Sequence, residues 1–320
     1  ILFLSAIIGY YSSEYGVIID RGMLQNIMET DSREAADLLT GSFVVHTVLF
    51  GLLPALAVGL SRVRSRPFVK ELGVRLASIG VAIVLAAAAS LLIYKDLTLM
   101  GREHKELRLE VNPLSPVYAA LTYGRHAKGQ AAAVTPIGTD ARQTTIPAGR
   151  KKTVVVFVVG ETARAKEFSL NGYERNTNPL LQNDQVISYT HASACGTATA
   201  ESLPCMFSHL DRSEYSVGKA ARFENVLDVL SRAGVSVLWR DNNSGCKGVC
   251  ARVATEDLSH GTAAGLCSGE ECFDEVLLSG LPDRLRLAAS DTLVVLHQKG
   301  SHGPAYYKRH PGNFRVFEPE

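Results

Sequence analysis

The sequence predicts an α-helical transmembrane domain followed by a globular α/β domain, and three observations carry that expectation. Two long stretches in the first third hold no formal charge. The second half contains short β-branched runs alternating with helix-spaced apolar residues. All six cysteines fall in that second half. With 320 residues there is length for about two domains. The net charge of +1 supplies no basic field of the kind that draws nucleic acid, so nucleic acid is not an expected partner.

The uncharged stretches run from Leu38 to Ser61 and from Leu76 to Tyr94. Each is long enough to cross a hydrocarbon core, which takes about 20 residues as helix. The opening "ILFLSAIIGYYSS" is a third apolar run, too short to span before Glu14, and reads as the end of a membrane helix whose beginning lies outside the sequence. A signal peptide is the alternative, but neither a basic leader nor a small-residue cleavage site flanks the run. The loop "RVRSRPFVKELGVR" between the two spans carries five Lys or Arg and one Glu, whereas "DRGMLQNIMETDSREAAD" before them is mainly acidic. The basic loop is therefore expected in the cytoplasm and everything after Tyr94 on the outer side.

The cysteines agree with that placement. Cys195, Cys205, Cys246, Cys250, Cys267 and Cys272 form three short-range pairs, all in the part expected outside. An even count in an oxidising compartment reads as disulfides between nearest neighbours. Zinc is the alternative, but "CKGVC" and "CSGEEC" lack histidines at finger-like spacing.

Three regions follow. Residues 1–126 form a membrane domain, whose part from about residue 95 interleaves aromatics with Lys and Arg, as a segment lying on a membrane surface does. Residues 127–152, poor in large apolar side chains and carrying Pro and Gly, read as a linker. Residues 153–320 form the globular domain. There "TVVVFVV" from Thr153 has the composition of a strand buried on both faces of a parallel sheet. "VSVLW" from Val235 and "TLVVLH" from Thr292 read as further strands. In "FENVLDVLSRAG", Phe223, Val226, Leu227 and Leu230 keep helical spacing and Gly234 supplies a stop. Strands alternating with helices give an α/β sheet.

Ligand sites of open α/β sheets lie beyond the carboxyl ends of the strands. The first strand runs into Glu161 and Thr162, the second into Arg240, Asp241, Asn242 and Asn243, and the third into Gln298, Lys299, Ser301 and His302. Between them lies "CGTATAESLPC", in which two cysteines bracket Thr197, Thr199 and Ser202. A threonine hydroxyl reacts as a nucleophile only when a base or a metal takes or masks its proton. A helix start in "TATAES" would also present free N–H groups to an anionic phosphate. The competing reading is a plain helix start with Thr as N-cap and Glu201 in the first turn.

The motifs "VVGETARA", "NGYERNTNP", "CGTATAESLPCMFS", "DNNSGCKGVC" and "GSHGPAYYKRHP" resemble, in order and spacing, the phosphoethanolamine transferases that modify lipid A in Gram-negative bacteria, including the colistin-resistance enzymes that protect against polymyxins. The resemblance extends through "MLQNIMETDSREA" and the apolar segments. It implies an alkaline-phosphatase-like metalloenzyme fold, incomplete at the C-terminus. It implies that Thr199 is the nucleophile that becomes phosphoethanolamine-modified, and that Glu161 and Thr199 are zinc ligands. Asn243, Lys247 and His302 match positions that hold the phosphoethanolamine group or the second metal region, and Thr197 matches a position lining the same pocket. The three cysteine pairs match family disulfides. The Asp-His pair that completes the family's zinc site is absent from this sequence.

The expected protein is a multi-pass enzyme of the bacterial inner membrane with its catalytic domain in the periplasm. It would move phosphoethanolamine from phosphatidylethanolamine to lipid A of lipopolysaccharide, with zinc as cofactor, and this sequence alone would be inactive. The alternatives are a phosphoglycerol transferase or hydrolase on the same fold, or a non-catalytic membrane lipid-binding protein.

Overall fold

The computed structural model describes the chain except for residues 31, 62–66, 105–106, 108, 128–132, 145–148, 262, 264, 269–270, 304 and 318–320. The first five residues of the basic loop and two stretches of the expected linker lie outside the described residues. The chain divides into two compact units, one of Ile1–Met28 with Leu38–Lys128, the other of Glu29–Asp37 with Gly129–Glu320.

In the first unit, α1 (Leu2–Tyr15) is followed by α2 (Arg21–Glu29), whose last residue belongs to the second unit, as does α3 (Ser32–Asp37). The first expected span is a single helical run, Gly41–Leu60, made of α4 (Gly41–Thr47), a π-helical stretch (Val48–Leu52) and α5 (Leu53–Leu60). Pro54 lies in the first turn of α5. It has no N–H to donate and its ring crowds the carbonyl four residues earlier, so the helix widens just before it. Thr40 caps α4 by accepting from Phe43 N at 3.2 Å, and the buried Tyr10 hydroxyl bonds both Thr40 Oγ1 (2.9 Å) and Ser42 Oγ (2.8 Å). Where α1 crosses this run Gly51 is required, because a Cβ there would meet Ala6 Cβ at 3.0 Å and Phe3 Cα at 3.2 Å.

The second span, α6 (Phe68–Leu92), begins earlier than its uncharged stretch and takes Lys70, Glu71 and Arg75 into its first turns. Both runs are long and apolar enough to cross a membrane. The residues after them form α7 (Tyr94–Glu103) and α8 (Leu114–Ala127).

The second unit is built on a parallel sheet of β1 (Val154–Val159), β2 (Ser236–Asp241), β3 (Ala254–Asp257) and β6 (Thr292–His297), in the order β1-β6-β2-β3. A small antiparallel hairpin pairs β4 (Cys267–Ser268) with β5 (Glu271–Cys272). Alternate residues of the two central strands face opposite cores. Trp239 and Val295 pack with Val159, with Leu203 and Phe207 of α9 (Thr199–Phe207), and with Leu227. Leu238, Val294 and Leu296 pack with Val276, Leu277 and Leu281 on the other face. Leu227 and Trp239 are fully buried, and removing an aliphatic side chain at such a position costs about 2–5 kcal/mol.

Two expectations are corrected here. The run "TVVVFVV" is not buried on both faces: Val154 to Val158 are 38–52 % exposed and only Val159 is buried. Its composition suits a central strand, but the sheet order puts β1 at the edge, with β6 on one side and no strand on the other among the described residues. Phe223 lies outside the helix it was expected to join. After the short α10 (Val217–Ala220), the next helix, α11, spans Val226–Arg232 and is started by a capping box between Asn225 and Asp228.

Phe223 instead forms a parallel bridge with Thr135, and Arg232 donates to Ile137 O at 2.8 Å, so residues 135–138 of the expected linker lie against this unit. The last helix, α12 (Leu281–Leu287), covers the second core.

Candidate active site

Strands β1, β6 and β2 end level with one another, Val159 opposite His297 and His297 opposite Asp241. The pairing continues a step further, since Gln298 N donates to Val159 O (3.0 Å) and Asn242 N to His297 O (2.9 Å). Glu161, Lys299 and Asn243, each two residues past those strand ends, therefore come out along one edge. Asn243 Nδ2 donates to Gln298 O at 2.8 Å, and Ser301 N to Glu161 O at 3.1 Å. Asp274 shapes the turn between them by accepting from Lys299 N (2.8 Å), Gly300 N (2.9 Å) and Asn242 Nδ2 (2.9 Å).

Thr199 meets Glu161 at this edge. Its hydroxyl donates to Glu161 Oε2 at 2.8 Å, while Thr162 Oγ1 donates to Oε1 at 2.8 Å. The reading of Thr as N-cap is corrected: the N-cap is Ala198, without a side-chain bond, and Thr199 is the first residue of α9, with Glu201 in the first turn as expected. The Thr199 hydroxyl is thus not spent on capping. The Cys195–Cys205 disulfide (Cα–Cα 6.4 Å) ties the loop before α9 to the helix itself. Tyr215 donates from its hydroxyl to Glu201 O at 2.8 Å, and burial, with Glu201 nearby, pushes its pKa up to about 12, so it remains a donor.

The other expected residues are placed as follows. Lys247 sits inside the loop closed by Cys246–Cys250, at φ 50°, and its Nζ donates to Ser244 O (3.0 Å) and Oγ (3.2 Å) and pairs with Glu29 (3.0 Å). His302 Nδ1 donates to Gly303 O at 3.0 Å, and Arg309 Nε donates to His302 O at 2.7 Å. Thr197 stands exposed two residues before Thr199. The third disulfide, Cys267–Cys272, closes the β4–β5 hairpin. With all six cysteines in disulfides, none is a thiolate ligand.

Sequence reasoning missed the buried network beneath the edge. Asp241 Oδ2 accepts from Trp239 Nε1 (2.7 Å) and meets His297 Nδ1 (3.0 Å), and Oδ1 accepts from Asn243 N (2.8 Å). Burial alone would raise the Asp241 pKa. The hydrogen bond and charge of His297 outweigh it, helped by Trp239 and the Asn243 amide, and hold the carboxyl below the usual carboxylate range. The signal was there to read, because Asp241 and His297 are the last residues of two strands whose centres are apolar.

Glu161 and Thr199 converge two oxygens of a kind that zinc accepts. In chemistry they fit such an ion, and in number they supply two donors. Among the described residues no group of three or more His, Cys, Asp or Glu is arranged to hold a metal.

Gly300 guards this geometry. It has φ +55°, and a Cβ on it would lie 2.5 Å from Glu161 O and 2.9 Å from Glu161 N. Gly300→Ala is therefore expected to push Glu161 away from Thr199 and to lower any turnover that depends on this pair by about a hundredfold, as misplacements of this size do. Turnover within a few-fold of wild type would show that the Glu161 position does not matter.

Comparison with known proteins decides the family. A family model described as sulfatase matches residues 153–320, more than half of the chain. The chain belongs to the sulfatase family. A second model, described as phosphoethanolamine transferase EptA/EptB, matches residues 1–127, the part that holds the two long apolar helices.

Phosphoethanolamine transferase EptA of Salmonella typhimurium is 39 % identical over 97 % of the chain and 57 % of its own length. Phosphatidylethanolamine transferase Mcr-1 of Escherichia coli is 41 % identical over 100 % of the chain and 61 % of its own length. The chain thus spans little more than half the length of the curated relatives it matches. The integral membrane lipooligosaccharide phosphoethanolamine transferase A from Neisseria meningitidis superposes with a TM-score of 0.92 at 37 % identity, over 100 % of this chain and 60 % of that one. The expected fold, a helical membrane-type region followed by an alkaline-phosphatase-like α/β domain, is the one found.

Proposed function

We propose that this chain carries the nucleophile of a zinc-dependent phosphoethanolamine transferase of the bacterial inner membrane, multi-pass, with its α/β unit in the periplasm. The donor is phosphatidylethanolamine and the acceptor lipid A of lipopolysaccharide. The observation that carries this reading is the Thr199 hydroxyl, 2.8 Å from the Glu161 carboxylate at the start of a disulfide-held helix on the carboxyl edge of the sheet.

Thr199 Oγ1 attacks the donor phosphorus, the bond from phosphorus to the glycerol oxygen breaks, and diacylglycerol leaves with the proton that the threonine gives up. A protonated oxygen of a lipid A phosphate then attacks the same phosphorus, the bond from phosphorus to Thr199 Oγ1 breaks, and the proton of the attacking oxygen restores the threonine hydroxyl. Zinc bound at Glu161 and Thr199 would neutralise phosphodiester charge and lower the cost of ionising the hydroxyl. Lys247 would bring positive charge to the phosphate, and His302, Asn243 and Thr197 would line its pocket.

The test supplies full-length protein with head-group-labelled phosphatidylethanolamine and lipid A. Label on lipid A with stoichiometric diacylglycerol is the expected result. Free phosphoethanolamine alone would make the protein a hydrolase. Transfer only from phosphatidylglycerol would make it a phosphoglycerol transferase, and no turnover of any donor would leave a lipid-binding protein.

A further inference from the structure

We infer that Arg309 is a positioning residue for His302, linking the turn that carries His302 to the disulfide-closed β4–β5 hairpin; this rests on reading His302 as a residue that holds the phosphoethanolamine group. The Arg309 side chain is only 5 % exposed. Its Nε donates to His302 O at 2.7 Å and its Nη1 to Glu271 Oε1 at 3.1 Å. Glu271 adjoins Cys272 in the hairpin that Cys267–Cys272 closes, and Lys299 Nζ lies 3.7 Å from the same Oε1. One guanidinium therefore spans from a covalently closed hairpin to the backbone of His302.

The energetics favour a positioning role over plain stability. The Arg309 Nη2 atom is buried without a hydrogen-bond partner among the described residues, and a buried cation with an unmet donor is costly to keep. An apolar side chain of similar volume would hold the segment as well or better. The planar fork supplies what such a side chain lacks, namely two directed bonds at fixed separation. With Nδ1 of His302 held by Gly303 O and its carbonyl held by Arg309, both the ring and the main chain of this residue are oriented.

The experiment measures kcat and KM for phosphatidylethanolamine in the full-length protein, well below each variant's melting temperature. The variants are Arg309→Ala, Arg309→Lys, His302→Ala, the Arg309→Ala/His302→Ala pair, and Leu281→Ala as a control in the second core. Arg309→Ala is expected to lower kcat/KM about thirtyfold, mostly through KM, and Arg309→Lys to recover only a small part. The double variant is expected to match His302→Ala within about twofold, because the two residues act as one unit. Leu281→Ala is expected to lower the melting temperature while keeping kcat/KM within about twofold of wild type.

Losses that multiply in the double variant, Arg309→Ala within twofold of wild type, or an equal kinetic loss from Leu281→Ala would each overturn the proposal. Wild-type turnover by His302→Ala would sink the reading of the site as well, and is thereby told apart from failure of the Arg309 link alone.

Discussion

Thr199→Ala in the full-length protein is expected to abolish transfer, by about four orders of magnitude or more, because it removes the atom that bonds to phosphorus. Ser202→Ala is expected to retain most activity. Both side chains lie in the first turn of α9, but only Thr199 is bonded to Glu161, so the pair of variants separates nucleophile from helix start. A comparison of Thr199→Ser adds resolution, since it keeps the oxygen and loses only a methyl. Intact-mass and peptide analysis after incubation with phosphatidylethanolamine, without acceptor, is expected to find the phosphoethanolamine adduct on Thr199. An adduct on Thr197 or Ser202 would transfer the nucleophile's role to that residue and refute the assignment.

The second large effect concerns zinc. A catalytic zinc usually takes three protein ligands and leaves one place open, and the described residues offer two at the proposed position, Glu161 and Thr199. The 320-residue chain by itself is therefore expected to hold zinc weakly, to lose it on desalting, and to transfer nothing, although its two apolar helices can insert. Purified beside the full-length protein, it is compared for zinc content and for transfer of a fluorescent phosphatidylethanolamine head group. Tight stoichiometric zinc with near-normal turnover would mean that the ligands are all present here and that the two-donor reading is wrong.

Much of the second unit was legible because its signals are local. A continuous apolar run marks a strand, and the polar residues just after it mark the edge where ligands bind, a set that held Glu161, Asn243 and His302 among others, from which the family resemblance picked the last two. Sheet order is not local, so "TVVVFVV" could not reveal that it lies outside the two central strands. The same holds for the Asp241–His297 contact, which joins residues 56 positions apart, and for Arg309 beneath His302. The helix start at Thr199 was legible as an element. Whether its hydroxyl capped the helix or faced Glu161 depended on a carboxylate 38 residues away.

The three disulfides enclose short separations of 10, 4 and 5 residues, and each sits on a loop of the carboxyl edge rather than across the sheet. Loops so short restrict the unfolded chain only modestly, so their cross-links contribute less to global stability than to local alignment. What they govern is alignment of α9, of Lys247 and of the hairpin that anchors Arg309. Reduction is therefore expected to loosen this edge first, since all three bridges hold segments that carry or adjoin the candidate site residues.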